Sequence, residues 1–303
     1  MTGGAPKVTI IEHRIPTAAS GPYIICEGSD GALWFCESTA SKIARFDPDR
    51  GTFSEYQLSH PDASPIGIIG GADGALWFTQ KKANRIGRIT TDGVISEFDL
   101  ITPNAGPDAI ALGPDGAIWF AMTDADKVGR ITSEGKISEY QDGLTPGARP
   151  LAMIERDGAL WFSEAGGSRI ARIDMQGRIS EFKIPSEGAQ PRAITRHPDN
   201  TLWFVETSAN ALGCVFADGS MVEHRVPIAD ASLRGVTVGP DNLLWFTANF
   251  ANQVGAMTTG GETILVRDLP TAKSGPRCIM THSSGRMFYG AFDAGLLGEI
   301  RLG

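Results

Sequence analysis

Tryptophan occurs in this chain only within the dipeptide Trp-Phe, and that dipeptide recurs every 42 or 43 residues. The six copies share one repeat position, occupied by Trp34, Trp77, Trp119, Trp161, Trp203 and Trp245. Met287-Phe288 follows one period after the last copy and is interpreted as the seventh. A fixed period of this length is typical of repeat architectures, in which each unit buries its apolar face against its neighbours.

Each unit has the pattern of four short strands joined by tight turns. A Pro-containing segment leads into an apolar strand such as 109–112, and a Gly-Pro-Asp-Gly turn (113–116) connects it to the Trp-Phe strand. A third strand carries Arg-Ile-Gly-Arg-Ile (85–89), and an Asp-Gly turn precedes a fourth strand with Ile-Ser-Glu-Phe (95–98). Proline and glycine supply the backbone angles that these turns need. The pattern therefore predicts a four-stranded antiparallel meander.

Seven such meanders predict an all-β fold, a single seven-bladed β-propeller domain over residues 1–303. The blades are expected to start near residues 21, 64, 106, 149, 190, 232 and 275. The last copy ends after its third strand, whereas the chain begins with an orphan fourth strand, 8–16, that matches 179–185. We therefore expect residues 1–17 to complete blade seven, which closes the ring and removes its exposed edges.

Composition and charge narrow the class of partner. The net charge of −8 disfavours nucleic acid or an anionic membrane surface as the main partner. No apolar leader and no apolar run of about 18 residues is present, so a cytoplasmic monomer is expected, although a protein that had lost a signal peptide would read the same way. The four cysteines have no CxxC or metal-ligand spacing and are interpreted as buried, reduced side chains.

The candidate site lies on one face of the predicted ring. The loops between second and third strands and the blade-to-blade connections share that face, and they are the longer and more variable loops. The repeat position after Pro at the start of each innermost strand, where Leu233 stands for Pro in blade six, is expected to line the mouth of the central channel. From blade one to blade seven these residues are Tyr23, Ile66, Asp108, Leu151, Arg192, Arg234 and Arg277. A second set, expected at the end of each Trp-Phe strand, consists of Glu37, Gln80, Thr123, Glu164, Glu206, Asn249 and Ala291.

The channel-mouth residues predict a site with one basic and one apolar side. Blade seven neighbours blade one, so Arg192, Arg234 and Arg277 form a continuous arc with Tyr23, while Ile66 and Leu151 face it. Three guanidiniums opposite an apolar wall suit a small molecule with an anionic or strongly polar end.

A structural interpretation of the same arginines stays open at this point. Arg192 and Arg234 would pair with Glu206, and Arg277 would pair with Glu37, as a ring of ion pairs. Either interpretation needs a negative charge among the three guanidiniums, because converging like charges repel one another.

One repeated phrase resembles a known family. It consists of Gly-Ala-Leu-Trp-Phe-Thr (74–79), Asn-Arg-Ile-Gly-Arg-Ile-Thr (84–90) and Asp-Gly-Val-Ile-Ser-Glu-Phe (92–98). This phrase strongly resembles the streptogramin B (virginiamycin B) lyases, and the likeness covers essentially the whole chain. The resemblance implies a lyase that opens a cyclic depsipeptide by Mg²⁺-assisted β-elimination. It also implies a tyrosine in blade one, and Tyr23 matches that position.

The positions that the resemblance assigns to metal and base carry other residues here. The Pro-His of blade six corresponds to Leu233-Arg234, and the Glu-Pro-His of blade seven corresponds to 275–277, Gly-Pro-Arg. The second metal ligand aligns with Ala291. Arginine does not act as a base at neutral pH, and neither Gly275 nor Ala291 offers an oxygen ligand. We therefore expect no Mg²⁺ cofactor and a function other than the usual His/Mg reaction.

Three functions remain open from the sequence. The first is a lyase-like enzyme that acts on another small molecule, with proton transfer by Tyr23 or by a carboxylate. In that hypothesis Tyr23, Arg234 and Arg277 are catalytic, and the substrate-binding residues are Arg192, Asp108, Ile66, Leu151, Glu37, Glu164, Glu206 and Asn249. The second is a non-catalytic propeller that binds a small molecule or a peptide. The third is a streptogramin B lyase whose catalytic residues are displaced.

Overall fold

The computed structural model describes residues 7–303 and confirms the seven-bladed β-propeller. Seven four-stranded antiparallel sheets follow one another along the chain. Strands and turns account for the described residues, with no helix among them, and hence none that could cross a membrane. Residues 1–6 of the predicted closing segment lie outside the described range.

The first strand, β1 (Val8–Arg14), belongs to the last blade, and each following blade begins with its innermost strand. Blades one to three contain β2 (Pro22–Glu27), β3 (Leu33–Glu37), β4 (Lys42–Asp47), β5 (Thr52–Gln57), β6 (Pro65–Gly70), β7 (Leu76–Gln80), β8 (Arg85–Ile89), β9 (Ile95–Asp99), β10 (Pro107–Leu112), β11 (Ile118–Met122), β12 (Lys127–Ile131) and β13 (Ile137–Tyr140). Blades four and five contain β14 (Pro150–Arg156), β15 (Ala159–Glu164), β16 (Arg169–Ile173), β17 (Ile179–Lys183), β18 (Pro191–Arg196), β19 (Leu202–Glu206), β20 (Ala211–Val215) and β21 (Met221–Arg225). Blades six and seven contain β22 (Leu233–Val238), β23 (Leu244–Ala248), β24 (Gln253–Met257), β25 (Thr263–Asp268), β26 (Pro276–Thr281), β27 (Met287–Ala291) and β28 (Leu296–Leu302).

The ring closes through the first strand, as the sequence predicts. β1 pairs antiparallel with β28, with Val8 opposite Leu302. Glu12 accepts a hydrogen bond from Thr271 Oγ1 at 2.6 Å, and His13 Nε2 lies 2.9 Å from Glu299 Oε2. The outermost strand of blade seven therefore comes from the opposite end of the chain.

The repeated tryptophans hold neighbouring blades together. Trp34 is buried in one apolar cluster with Ile68 and Phe78 of blade two, and the same blade-to-next-blade clustering recurs around the ring. The Trp34 indole N–H donates to Asp30 of the preceding turn at 3.1 Å, and Arg45 Nε donates to the other Asp30 oxygen at 2.7 Å. Burying an indole contributes about 4–6 kcal/mol as an upper bound, so these residues explain why the period is so regular.

The strand register of blade seven shows that the seventh copy of the Trp-Phe repeat was predicted one residue too early. In blade one Ile25 lies opposite Phe35, and in blade seven Ile279 lies opposite Tyr289. Phe288, not Met287, therefore takes the tryptophan position, and it packs against Phe35 at the interface with blade one. In the sequence, Met287-Phe288 aligns with Trp-Phe because both dipeptides end in Phe. The strand register instead aligns Phe288-Tyr289 with Trp-Phe.

Candidate functional site

A recurrent β-bulge places one side chain of each blade at the channel. In blade one Pro22 lies opposite Glu37 and Ile25 lies opposite Phe35, so Tyr23 and Ile24 together face a single residue of β3. The same register shift occurs at the start of every inner strand. A bulge re-aims the side chain at the extra residue, and the residue that lines the channel follows Pro in six blades and Leu233 in blade six.

Six of the seven predicted channel-mouth residues line one central cavity of about 200 Å³. These six are Tyr23, Asp108, Leu151, Arg192, Arg234 and Arg277. The seventh, Ile66, lines a wider depression that shares Tyr23, Asp108 and Arg192 with the cavity. Two residues further along the same strands, the cavity wall is apolar and consists of Ile25, Ile110, Met153, Ile194, Val236 and Ile279. The cavity therefore has charged side chains at its mouth and apolar side chains deeper in the channel.

The ion pairs of the structural interpretation do not form. Within the described residues, neither Arg192 nor Arg234 has a carboxylate oxygen within 4.0 Å, and the Nε atom of each is buried without a hydrogen-bond partner. Arg277 approaches Asp293 instead of Glu37, with 3.4 Å between Nη2 and Oδ1. Two of the three predicted guanidiniums are thus left without a counter-charge from residues 7–303.

Arg277 is held by aromatic rings. Its guanidinium lies 3.5 Å from the ring centroid of Phe292 and 5.9 Å from that of Tyr23. Tyr23 and Phe292 meet edge to face at 5.8 Å. Stacking on an aromatic face orients a guanidinium while leaving its in-plane N–H groups free to bind a ligand.

Tyr23 and Arg234 remain hydrogen-bond donors at the mouth. Burial and the carboxylate of Asp108 raise the pKa of Tyr23 and outweigh the opposing effect of the three arginines. Burial and the charge of Arg192 lower the pKa of Arg234, although an arginine so placed still carries its proton. Asp108 is engaged by Lys81 Nζ at 2.8 Å. A neutral phenol and three guanidiniums suit recognition of an oxyanion.

The three glutamates predicted at the mouth are wrong as ligand contacts. Glu37, Glu164 and Glu206 have no exposed surface and do not line the central cavity. Burial, followed by the carboxylate on the fourth strand of the same blade, raises the pKa of Glu164 and Glu206 to about 8 and that of Glu37 to about 7. Side chains alternate along a strand, and these side chains point into the blade interior.

Two other members of the second set are shifted by one residue. Met122 and Ala248, not Thr123 and Asn249, end their strands at the position of Glu37. Thr123 Oγ1 donates to the carbonyl of Pro150 at 2.7 Å, and Asn249 Nδ2 donates to that of Pro276 at 3.2 Å. Asn249, which was predicted to contact the ligand, is instead buried and holds the inner strand of the next blade by this hydrogen bond.

Sequence reasoning missed four residues at the mouth. Lys81, Phe292 and Asp293 immediately follow second strands, and Phe250 lies in the corresponding loop of blade six with 75 % of its surface exposed. Phe250 lines a groove between blades five and six together with Arg192 and Arg234. The sequence feature that could have identified these four residues is their position in the loops of the more variable face of the ring.

The residues present do not fit a magnesium ion. Ala291 is fully buried and has no ligand oxygen, and a side chain added at Gly275 would collide with the Asp293 carboxylate. Among residues 7–303 no group of three or more His, Cys, Asp or Glu side chains is arranged to hold a metal ion. The four cysteines, Cys26, Cys36, Cys214 and Cys278, are buried and form no disulfide bond with one another.

Comparisons with known proteins agree on one family. The model of the virginiamycin B lyase family matches residues 4–196 and 144–303. Virginiamycin B lyase of Streptomyces coelicolor is 44 % identical over 43 residues, and that of Saccharopolyspora erythraea is 51 % identical over 41 residues. Each aligned segment covers only 14 % of this chain and 14 % of the relative's length.

Solved structures match over the whole ring. A streptogramin B lyase structure superposes with a TM-score of 0.92 at 32 % identity and covers 98 % of both chains. Virginiamycin B lyase from Staphylococcus aureus gives a TM-score of 0.91 at 33 % identity, covering 98 % of this chain and all of the other. A catalytically inactive variant of the latter, with one histidine replaced by alanine, was solved with quinupristin and gives 0.92 at 32 % identity over 98 % of this chain and all of the other.

Proposed function

The chain belongs to the virginiamycin B lyase family, and on that premise we propose that it is a lyase-like enzyme whose substrate is a small molecule with an anionic end. The observation that carries the proposal is the pair of partly buried guanidiniums, Arg192 and Arg234, that meet no carboxylate of the described chain. A buried charge without a partner is costly, and a ligand oxyanion supplies the missing charge.

The proposed chemistry uses the donors at the mouth. Arg234 and Arg277 stabilise negative charge that develops on the substrate, such as an enolate, because preorganised donors in an enclosed site need little rearrangement. The proton that the substrate loses as this charge develops passes to Asp108, the carboxylate that lines the cavity, and Tyr23, a neutral phenol, donates a proton to the leaving group. No histidine lines the cavity or the two neighbouring depressions of the described chain, which supports a reaction other than the histidine-dependent one.

A binding protein without catalysis is the second candidate. The observation that favours it is the absence of a free base at the mouth of the described chain. Asp108 is paired with Lys81 and Asp293 with Arg277, and the three candidate glutamates are buried inside their blades. Under this alternative the arginines recognise the same anionic end, and the ligand leaves unchanged.

Native mass spectrometry after incubation with mixed small carboxylates, phosphate esters and depsipeptides tests both candidates. We expect an adduct on the unaltered protein that disappears in Arg234→Ala, because a lost charge-assisted hydrogen bond costs about 1.5–3 kcal/mol. Arg225→Ala, on the outer strand of blade five, is the matched control and should retain the adduct.

The mass of the released compound separates enzyme from binder. Tyr23→Phe should keep the adduct but slow conversion at least tenfold. If both Tyr23→Phe and Arg277→Ala converted an identified substrate at the full rate, the catalytic assignment would be wrong. A ligand that is always recovered unchanged would favour the binding protein.

The relatives' own reaction gives a separate prediction. We expect no ring opening of a streptogramin B depsipeptide above the uncatalysed rate, with or without added Mg²⁺, because the described residues place neither a histidine nor a metal-ligand set at the mouth. The assay follows the mass of the depsipeptide over time. Mg²⁺-dependent ring opening by the purified chain would instead support the third candidate, a streptogramin lyase with displaced catalytic residues.

A further inference from the structure

The cations around the channel mouth fall into two groups. Lys81, Arg149 and Arg277 each have an acidic partner, with nitrogen–oxygen distances of 2.8, 3.8 and 3.4 Å to Asp108, Asp124 and Asp293. Arg192 and Arg234, on the adjacent blades five and six, have no such partner among the described residues. Two positive charges are therefore uncompensated, and they lie side by side.

Both unpaired arginines face the same space. They line the central cavity and also the neighbouring groove between blades five and six. Asp230 lies in that groove but comes within 4.0 Å of neither guanidinium. The Nε atoms are buried without a partner, so solvent does not satisfy these donors. Like charges so placed repel one another, which disfavours the ligand-free arrangement.

Resting on the function proposed above, we infer that the anionic group recognised here is a dianion, either a phosphate monoester or a dicarboxylate, held between Arg192 and Arg234. Each guanidinium has parallel N–H donors that match two oxygens of such a group. A monoanion would leave one of the two positive charges without compensation. A dianion compensates both.

The opposite wall orients the rest of the ligand. In the order of the blades, Ile66 of blade two lies across the ring from the space between blades five and six. Leu151 of blade four adjoins Arg192 on the apolar side. The dianionic head therefore lies at blades five and six, and the uncharged part of the ligand points toward blade two.

Isothermal titration calorimetry at constant ionic strength can test whether the site prefers a doubly charged anion to a singly charged one. The probes are methyl phosphate, which is a dianion at pH 8, and methyl sulfate, which has a similar shape and one charge. We expect methyl phosphate to bind at least about tenfold more tightly at pH 8. At pH 5, below its second pKa of about 6, it should lose that advantage. Sulfate carries two charges at both pH values and controls for titration of the protein. Malonate replaces methyl phosphate to distinguish a dicarboxylate from a phosphate preference.

Matched variants assign the site. Arg192→Gln and Arg234→Gln should each weaken methyl phosphate binding by about tenfold to a hundredfold, whereas Arg225→Gln should not. Thermal melting of the ligand-free variants checks folding, and Arg192→Lys provides a variant that keeps the charge. Equal affinities for methyl phosphate and methyl sulfate, both lost in the arginine variants, would overturn the dianion and leave the anion site standing. No binding of methyl phosphate, malonate or sulfate would overturn both proposals.

Discussion

A chain that lacks residues 1–17 should lose the stability of the closed ring, with a fall in the free energy of unfolding of about 5 kcal/mol or more. Ile15 is buried, and Val8 and Ile10 are half-buried, against the last blade and its interface. Full burial of such a side chain contributes about 1.5–3 kcal/mol, and the loss of the pairing between β1 and β28 adds to the effect. The loss is comparable with the whole stability of an average domain. Thermal and urea unfolding measure it directly.

The deletion should also change the solution behaviour of the protein. It exposes the edge of β28, whose residues 296–302 are mostly apolar, and an unpaired apolar edge recruits other chains. Light scattering and size-exclusion chromatography should therefore show association of the shortened chain. A shortened chain that eluted like the original chain and melted at the original temperature would contradict the closure.

A rearranged chain provides the matched rescue. Gly303 N donates to the carbonyl of Lys7 at 2.9 Å, so the described ends of β1 and β28 lie side by side. Residues 7–17 can be moved behind Gly303 through a two-residue Asn-Gly turn, which favours the tight connection of antiparallel strands. The moved strand should restore both the unfolding midpoint and the elution volume of the original chain, since it refills the same edge. Failure of the rescue would show that something other than strand pairing was lost.

The second large effect is a loss of stability as the pH rises from 5 to 9. The pKa values of Glu164 and Glu206 are raised to about 8 by burial and by Glu181 and Glu223, respectively. A raised pKa means that the protonated form favours the folded state. This contribution is complete below the unfolded pKa of about 4.5 and is lost as the pH passes the folded value near 8. We expect each residue to cost about 2–4 kcal/mol at pH 9 relative to pH 5.

Blade two of the same chain shows how to remove the effect. Gln80 occupies the equivalent position and donates to Glu97 at 2.9 Å without any proton to lose. Glu164→Gln and Glu206→Gln should therefore leave the free energy of unfolding nearly unchanged at pH 5 and raise it at pH 9. Urea unfolding at pH 5, 7 and 9 measures the effect, with the exposed Glu187→Gln as control. A pH dependence that survived in the double variant would exclude these two carboxyl groups as its source.

Carboxylates whose pKa is lowered in the folded protein do not affect this test. Burial opposes, but hydrogen bonds from Trp34 and Arg45 outweigh it, so that the pKa of Asp30 is lowered, and Asp73 and Asp115 repeat the arrangement. Stability from such groups is present above the unfolded pKa and is lost as the pH falls through the lower folded value. Their contribution is therefore constant between pH 5 and 9.

The fold was predictable because one physical requirement recurs in every blade. Each sheet must bury a large side chain against the next sheet, and the Trp-Phe strand satisfies this requirement at a constant spacing. The prediction slipped by one residue in blade seven, where Phe288 takes the tryptophan position. Two neighbouring apolar residues there fit the pattern equally well in sequence, and only the strand pairing distinguishes them.

The site was predictable only in part, for a related reason. The residue after Pro marks the bulge in six of the seven inner strands, and Leu233 takes the place of that Pro in blade six. Arg192, Arg234 and Arg277 could therefore be assigned to the mouth from the repeat alignment. Glu206 was misplaced because the direction of a side chain at a strand end depends on register, and register is decided by partners far along the chain. Phe292 was missed because no local pattern shows that a loop side chain folds back onto a guanidinium.

The pairing of β1 with β28 also bears on how the chain is made. His13 and Glu299, which meet across this pair, are 286 positions apart in sequence. On the ribosome, the strands of the first six blades can pair soon after they emerge, because each has its neighbours within a few tens of residues. β1 emerges before all of them and finds its partner only after β28 has been synthesised. We therefore expect the residues of β1 to stay unpaired in the nascent protein until β28 has emerged, so that ring closure comes late in folding.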